Sequence, residues 1–292
     1  MVRWHRDLGL QARMALTLFL LALVYLLFVG FLVMLDVGTL LILAIVGAIL
    51  LVQYFFSDRM VLSTMGARLV SEETEPHLYQ VLTRLSSIAG MPRPRLAIVN
   101  SPVPNAFATG RNPSRSVVTV TTGLVRILNP DELEAVIAHE LSHIRNHDVV
   151  VITLATFLST IAFTIFRNWF LFGIGDRDRR ASSLMLLPLV AGTTWVVSHL
   201  LILALSRYRE FTADRGSAVI TGRPSHLASA LAKISGLMER VPRRDLREVE
   251  GMNAFFIIPA ISGSSFFNLL STHPPVEARI AALVRIEQEM EA

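Results

Sequence analysis

The segment His139-Glu140-Leu141-Ser142-His143 sets two imidazoles four residues apart, with a carboxylate beside the first. On an α-helix this spacing stacks both histidines on one face, about 6 Å apart along the axis. Imidazoles so placed can grip one Zn²⁺. Glu140, about 100° further round the helix, can take a proton from the attacking water. The chain has no cysteine, which excludes disulfides, thiol nucleophiles and Cys-based zinc sites. Any metal must therefore be held by His, Asp and Glu. The plainer reading of the same residues is a polar helix face.

A catalytic zinc needs a third protein ligand. His147 continues the i, i+4, i+8 series, but on an unbroken helix it lies about 12 Å along the axis from His139. Ligand distances near 2 Å cannot easily span that. The longer pattern HExxHxxGxxH is also absent: Asn146 stands where the Gly belongs, and His147 comes too early. His147 is expected to be an interfacial or supporting residue. The better candidate is Glu210 in "SRYREFTADRGS" (Ser206–Ser217). Glu210 and Asp214 are four apart and share a helical face. Glu210 would complete a His₂Glu set and leave one position open for water. Asp214 can then accept a hydrogen bond from the free ring nitrogen of a ligand histidine. The competing reading is a charged belt that caps an apolar segment. His273, in "STHPP", is kept off a regular helix by the two prolines that follow it. It is either a donor to a developing oxyanion or peptide carbonyl, or a solvated residue at a helix start. Arg279 can form an ion pair in the same region.

These residues need a scaffold, and composition says which kind. Of 292 residues, 52% are hydrophobic and 17% charged, with a mean hydropathy of +0.53. Ordinary globular chains carry about 25% charged residues, so this balance points to membrane spans. The net charge of +4 and the pI near 10.1 fit basic flanks beside spans. No basic run has interleaved aromatics, which argues against nucleic-acid binding. Four apolar runs stand out: Met14–Leu35, Leu40–Phe56, Val149–Phe166 and Leu184–Leu205. At 1.5 Å per residue each approaches or exceeds a hydrocarbon core of about 30 Å. Arg3, Arg6 and Arg13 place the N-terminus in the cytoplasm. The expected organisation is a basic N-terminus (1–13), a first transmembrane hairpin (14–56) and a catalytic part (57–148). A second hairpin (149–206) and a second catalytic part (207–292) follow. Arg177, Arg179 and Arg180 lie in the second hairpin's loop and favour instead a shallow hairpin that never fully crosses. In either case both polar parts share one side of the membrane. Within them, helices are expected at Glu73–Ala89, around Asn129–His147, at His226–Arg240 and near the C-terminus; the second either runs nearly continuously into the third apolar run or joins it by a slight bend at His147–Asp148. Arg95–Asn100 and Ser116–Leu124 are β-rich, and Ser101–Ser114 reads as a loop or irregular hairpin.

Four stretches, in order, carry a specific resemblance: "NAFATG" (Asn105–Gly110), "AHELSHI", "SRYREFTAD" and "STHPPVEARI" (Ser271–Ile280). Together with the apolar runs they resemble the HtpX family of integral-membrane zinc metalloproteases, relatives of the type I CAAX prenyl endopeptidases. The resemblance spans nearly the whole chain. It implies a mainly α membrane protein with a cytoplasmic α+β zincin-like domain split by the second hairpin. It implies one Zn²⁺ per chain on His139, His143 and Glu210, Glu140 as base, and Asp214 behind His139. It favours a functional His273 and makes Asn105, Ala106 and Phe107 the edge that pairs with extended substrate, where an ordinary turn is the alternative. The implied role is quality control of damaged or misfolded membrane proteins at the inner membrane's cytoplasmic face. Its partners would be membrane-protein or unfolded polypeptides and other quality-control proteases. A narrow processing protease of the CAAX type and an inactive zinc-binding scaffold are the alternatives. A transporter is disfavoured, because the apolar runs contain almost no ionisable residues.

Overall fold

In the computed structural model, residues 8–35, 39–167, 186–238 and 273–291 are described. The connections expected at 36–39 and 173–183 lie wholly or largely outside them. The chain divides into two compact units. One is built on Phe56–Val150 and the chain from Ser206 onward, the other on Asp7–Phe55 and Val151–Leu205.

The second of these units is helical. Helix α1 spans Leu8–Met34 and α2 Thr39–Thr64. Helix α6 spans Asp148–Arg167 and α7 Leu187–Thr221. Among the described residues α1, α6 and α7 are long and apolar enough to cross a membrane. Leu21, Tyr25, Phe28 and Leu32 recur at helical spacing along α1 and form its buried stripe. Phe28 and Leu32 pack with Ile161, Ala162, Ile165 and Ala191, and Leu21 and Tyr25 with Ala155, Ile202 and Leu205. The opposite side leaves Phe19, Leu26 and Leu27 exposed, as a lipid-facing surface would. Polar groups inside are satisfied locally: the Tyr25 hydroxyl donates to the Ala155 carbonyl, and Ser198 Oγ donates to Ser159 Oγ at 2.9 Å.

The polar unit places a four-stranded sheet and the helices α3 (Pro76–Ala89), α5 (Pro130–Arg145), α8 (Pro224–Met238) and α9 (Val276–Glu291) around one core. Strands β1 (Arg68–Val70), β2 (Arg95–Val99), β3 (Ala106–Thr109) and β4 (Val117–Thr121) run in the order β1-β2-β4-β3. The β2–β4 pair is parallel and both outer pairs are antiparallel. Val117, Val118 and Val120 of central β4 are fully buried, as expected of an interior strand. Leu82 and Leu85 of α3, Val136, Ile137 and Leu141 of α5, and Leu227, Leu231 and Ile234 of α8 close the core.

Helix α5 carries the two histidines and is firmly started. Asn129 Oδ1 accepts from the Glu132 N–H at 2.8 Å, Glu132 Oε2 accepts from the Asn129 N–H at 3.0 Å, and Pro130 occupies the first turn. Glu132 also receives Lys233 Nζ at 2.7–2.8 Å and Ser229 Oγ at 2.7 Å, which ties α5 to α8. Of the two readings of its end, the structure takes the bend, and a sharp one. His147 adopts a left-handed conformation with φ 56°, and α6 begins at Asp148. Three other local expectations change. Ser101–Ser114 contains strand β3, Thr122–Ile127 forms the short helix α4 instead of continuing β4, and β1 is an additional strand. Elements of three to six residues leave too little periodicity to read.

Candidate metal centre

His139 and His143 rise from α5, and Glu210 comes from α7, the 35-residue helix that also contains Asp214. Ser217 Oγ, further along α7, donates to the Ala135 carbonyl of α5 at 2.7 Å and fastens the two helices. This brings the three side chains together. His139 Nε2 is 3.1 Å from His143 Nε2 and 3.6 Å from Glu210 Oε2, and His143 Nε2 is 3.5 Å from Glu210 Oε1. Zinc–ligand bonds of about 2.0–2.1 Å in a tetrahedron require ligand atoms roughly 3.3–3.4 Å apart. The two imidazole nitrogens and the Glu210 carboxylate, which faces one of them with each oxygen, are spaced closely enough to share one ion, with one ligand atom from each residue within 4.8 Å of the others. Glu210 Oε2 is buried and accepts no aligned hydrogen bond among the described residues, although the Arg279 guanidinium lies beside it, so its lone pairs remain available to a metal ion. The residues present fit the metal.

The outer ring nitrogens explain why both Nε2 atoms point inward. His139 Nδ1 is 3.0 Å from Asp214 Oδ1, and His143 Nδ1 is 2.6 Å from Asp148 Oδ2. A carboxylate on Nδ1 fixes the tautomer and leaves the Nε2 lone pair for a metal. Each carboxylate is in turn held by its own arginine. Arg279 donates from Nε and Nη2 to Asp214 at 2.9 and 2.6 Å, and Arg209 Nη2 lies 2.7 Å from Asp148 Oδ1. Arg279 is fully buried, and its Nη1 lies 3.1 Å from Glu210 Oε2. Two Arg–Asp–His chains thus converge on one point.

The charge pattern follows from this. Burial alone would lower the His139 pKa, but Asp214 and Glu210 outweigh it and raise the group to about 9 in the metal-free pocket. Burial, with the neighbouring His139, lowers His143 to about 4. Burial opposes ionisation of Glu210 and Asp214, yet His273 and Arg279 hold Glu210 well below the usual carboxylate range, and Arg279 with His139 lowers Asp214. Glu140 moves the other way: it is 4% exposed, and burial raises its pKa.

The remaining residues singled out in the sequence divide into two groups. His273 is buried just before α9, with Nδ1 3.4 Å from Glu210 Oε1, so the structure brings it to the site. His147 is exposed at the α5–α6 break and makes no part of the triangle. Asn105, Ala106 and Phe107 are buried at the start of β3. Asn105 exchanges hydrogen bonds with Thr121 of β4, and β3 stands last in the strand order. Asp148 and Arg209 were not anticipated. The only available signal was an acid five residues beyond His143, and it becomes meaningful once the helix breaks between them.

Comparison with known proteins gives consistent results. The model of peptidase family M48 matches residues 72–287. Protease HtpX homolog 2 of Methanosarcina acetivorans is 59% identical over 290 residues, covering 99% of both chains. Protease HtpX homolog of Moorella thermoacetica is 56% identical over 290 residues, covering 98% of this chain and 97% of the relative. The protein of that name from Pyrococcus furiosus is 47% identical over 241 residues, covering 81% and 82%. Among solved structures, S. mikatae Ste24p shares the fold with a TM-score of 0.53 at 16% identity. The match covers 90% of this chain and 62% of that one.

Proposed function

The chain belongs to peptidase family M48 and is a membrane metalloprotease, and from that premise we propose a zinc-dependent endopeptidase that removes misfolded or damaged membrane proteins. The observation that carries the zinc reading is the triangle of His139 Nε2, His143 Nε2 and a Glu210 carboxylate oxygen, with both outer imidazole nitrogens on carboxylates. Zn²⁺ held there would supply Lewis acidity and bring its bound water's pKa down to near 7.

The chain's own groups do the rest. Glu140, buried and raised in pKa, accepts the proton of the attacking water and passes it to the leaving amine. Arg279 and Arg209 keep Asp214 and Asp148 ionised, and these hold the two imidazoles in one tautomer. His273, beside Glu210, donates to the carbonyl oxygen as negative charge develops on it. The place of β3 at the end of the sheet order supports Asn105–Phe107 as the segment along which an extended substrate pairs. Backbone pairing gives affinity with little sequence selectivity, which suits unfolded polypeptides as clients.

In this reading α1, α2, α6 and α7 make two hairpins, and the site works at the cytoplasmic face of the cell membrane. Arg3, Arg6 and Arg13 support that orientation. The test is metal analysis of the purified full chain together with cleavage of casein and of an unfolded membrane protein. Wild type should hold one zinc per chain and cleave; Glu140→Gln should keep the metal and lose cleavage. Cleavage retained in Glu140→Gln refutes the mechanism.

A further inference from the structure

The geometry points to a second binding site in the polar unit, one for the phosphate headgroup of an anionic phospholipid. A cavity of about 710 Å³ is lined by Arg59, Arg68, Arg95 and Arg115, with Asp58 as its acidic residue. Arg95 Nη2 lies 3.7 Å from Asp58 Oδ2, so this acid offsets one arginine. Arg59, Arg68 and Arg115 have no acidic partner among the described residues. Three uncompensated guanidinium groups around one concavity repel each other, and a bound anion relieves that repulsion. Guanidinium groups match phosphate oxygens with paired N–H donors, and the one acid of the lining, Asp58, is engaged by Arg95.

The convergence follows from how the chain turns. Helix α2 ends at Thr64 and Gly66 takes the left-handed conformation with φ 62°. The Ala67 N–H then returns to the Leu62 carbonyl at 2.8 Å. This tight reversal lays β1 back beside the last turns of α2, so Arg59 and Arg68 face one cavity. Strand β1 pairs with β2, which starts at Arg95, and β2 pairs with β4, with Arg95 opposite Val117, two residues after Arg115. The short 3₁₀ turn Pro113–Arg115 supplies Arg115.

A lipid is favoured over a soluble anion by the other features of the cavity. Leu62 and Leu69 also line it, giving an apolar wall suited to a glycerol backbone and the first acyl carbons. Along the same helix α2, the uncharged run Leu40–Phe56 ends just before Asp58 and Arg59. This inference rests on the reading of α2 as a membrane span. An acidic lipid in the leaflet beside such a span meets these arginines at headgroup depth, where basic groups attract anionic lipid.

The test uses the full chain in neutral-detergent micelles, with native mass spectrometry counting bound phosphatidylglycerol and phosphatidylcholine. Wild type should bind one phosphatidylglycerol ahead of phosphatidylcholine. Arg68→Gln with Arg115→Gln should weaken phosphatidylglycerol about thirtyfold, the factor expected for two basic groups, and leave phosphatidylcholine unchanged. Arg126→Gln with Arg285→Gln removes the same charge elsewhere and should leave both unchanged. Thermal melts establish that each variant is folded. Unchanged phosphatidylglycerol binding in the pocket variant, or an equal loss in the control pair, overturns the proposal. Displacement of the lipid by inorganic phosphate at the lipid's own Kd overturns it too, in favour of a soluble anion. The micelle assay does not depend on topology, so a wrong assignment of α2 appears in residue labelling across the membrane and not here.

Discussion

Asp148 is the sharpest place to test how the metal centre is held. Its two oxygens serve different partners: Oδ2 is 2.6 Å from His143 Nδ1 and Oδ1 is 2.7 Å from Arg209 Nη2. Asp148→Asn keeps the shape and removes the charge. An outer carboxylate of this kind is worth about 10- to 100-fold in metal affinity, or roughly 1.4–2.7 kcal/mol. Asp148→Ala goes further, because it strands Arg209, which is only 4% exposed and already has Nε and Nη1 without hydrogen-bond partners among the described residues. An uncompensated buried charge costs about 3–5 kcal/mol. The predictions therefore separate. Asp148→Asn loses metal affinity with modest loss of stability; Asp148→Ala loses both; adding Arg209→Met to Asp148→Ala restores much of the stability and none of the affinity. Competition with a chelator of known zinc affinity reads the first quantity, and thermal melting of the metal-free protein reads the second. Wild-type affinity in Asp148→Asn would refute the argument that this carboxylate orients His143.

Other outcomes follow from the same geometry. Glu210→Ala should lose its zinc while His147→Ala keeps it, as measured by metal stoichiometry; the reverse pattern would exchange their roles. Glu132 is buried, which would raise its pKa, but Lys233, the Asn129 N–H and Ser229 outweigh that and lower it. Its stabilising contribution is then present above the unfolded carboxylate pKa and is lost as pH falls through the folded one. Glu132→Gln should lower the melting temperature at pH 7 and flatten its decline on acidification; identical pH profiles would contradict this. The chain has no cysteine of its own, so single cysteines placed at Arg180, Glu75 and Asp245 report topology. An impermeant thiol reagent on intact cells should label the first only; labelling of the other two would move the site to the opposite face.

The legible parts of this molecule are those governed by local, periodic physics. Asn129, Pro130 and Glu132 announce the start of α5 because a capping box is a short-range pattern, and the i, i+4 spacings of His139/His143 and Glu210/Asp214 survive folding because a helix preserves them. The long apolar runs of α1, α6 and α7 are visible for the same reason. What sequence could not supply is pairing at a distance. Arg279 reaches Asp214 across 65 positions, and Asp148 meets Arg209 only because the start of α6 packs against the interior of α7. A bend at His147–Asp148 was legible as an alternative to a continuous helix, and histidine is among the side chains that tolerate the left-handed conformation; its sharpness, with φ 56°, was not legible. Without that turn Asp148 could not reach back to His143.

The metal centre is divided along the chain: His139, Glu140 and His143 precede the third apolar run, while Glu210, Asp214 and Arg279 follow the fourth. During synthesis this order becomes a clock. At about 5–20 residues per second, a ribosome needs on the order of several seconds after His143 to deliver Glu210, and a comparable time again to reach Arg279. Until then the histidines lack the third ligand proposed for them and Asp214 has no guanidinium to hold it. If the proposed set is the working one, the position of its ligands in the message lets the centre assemble only when nearly the whole chain has been made.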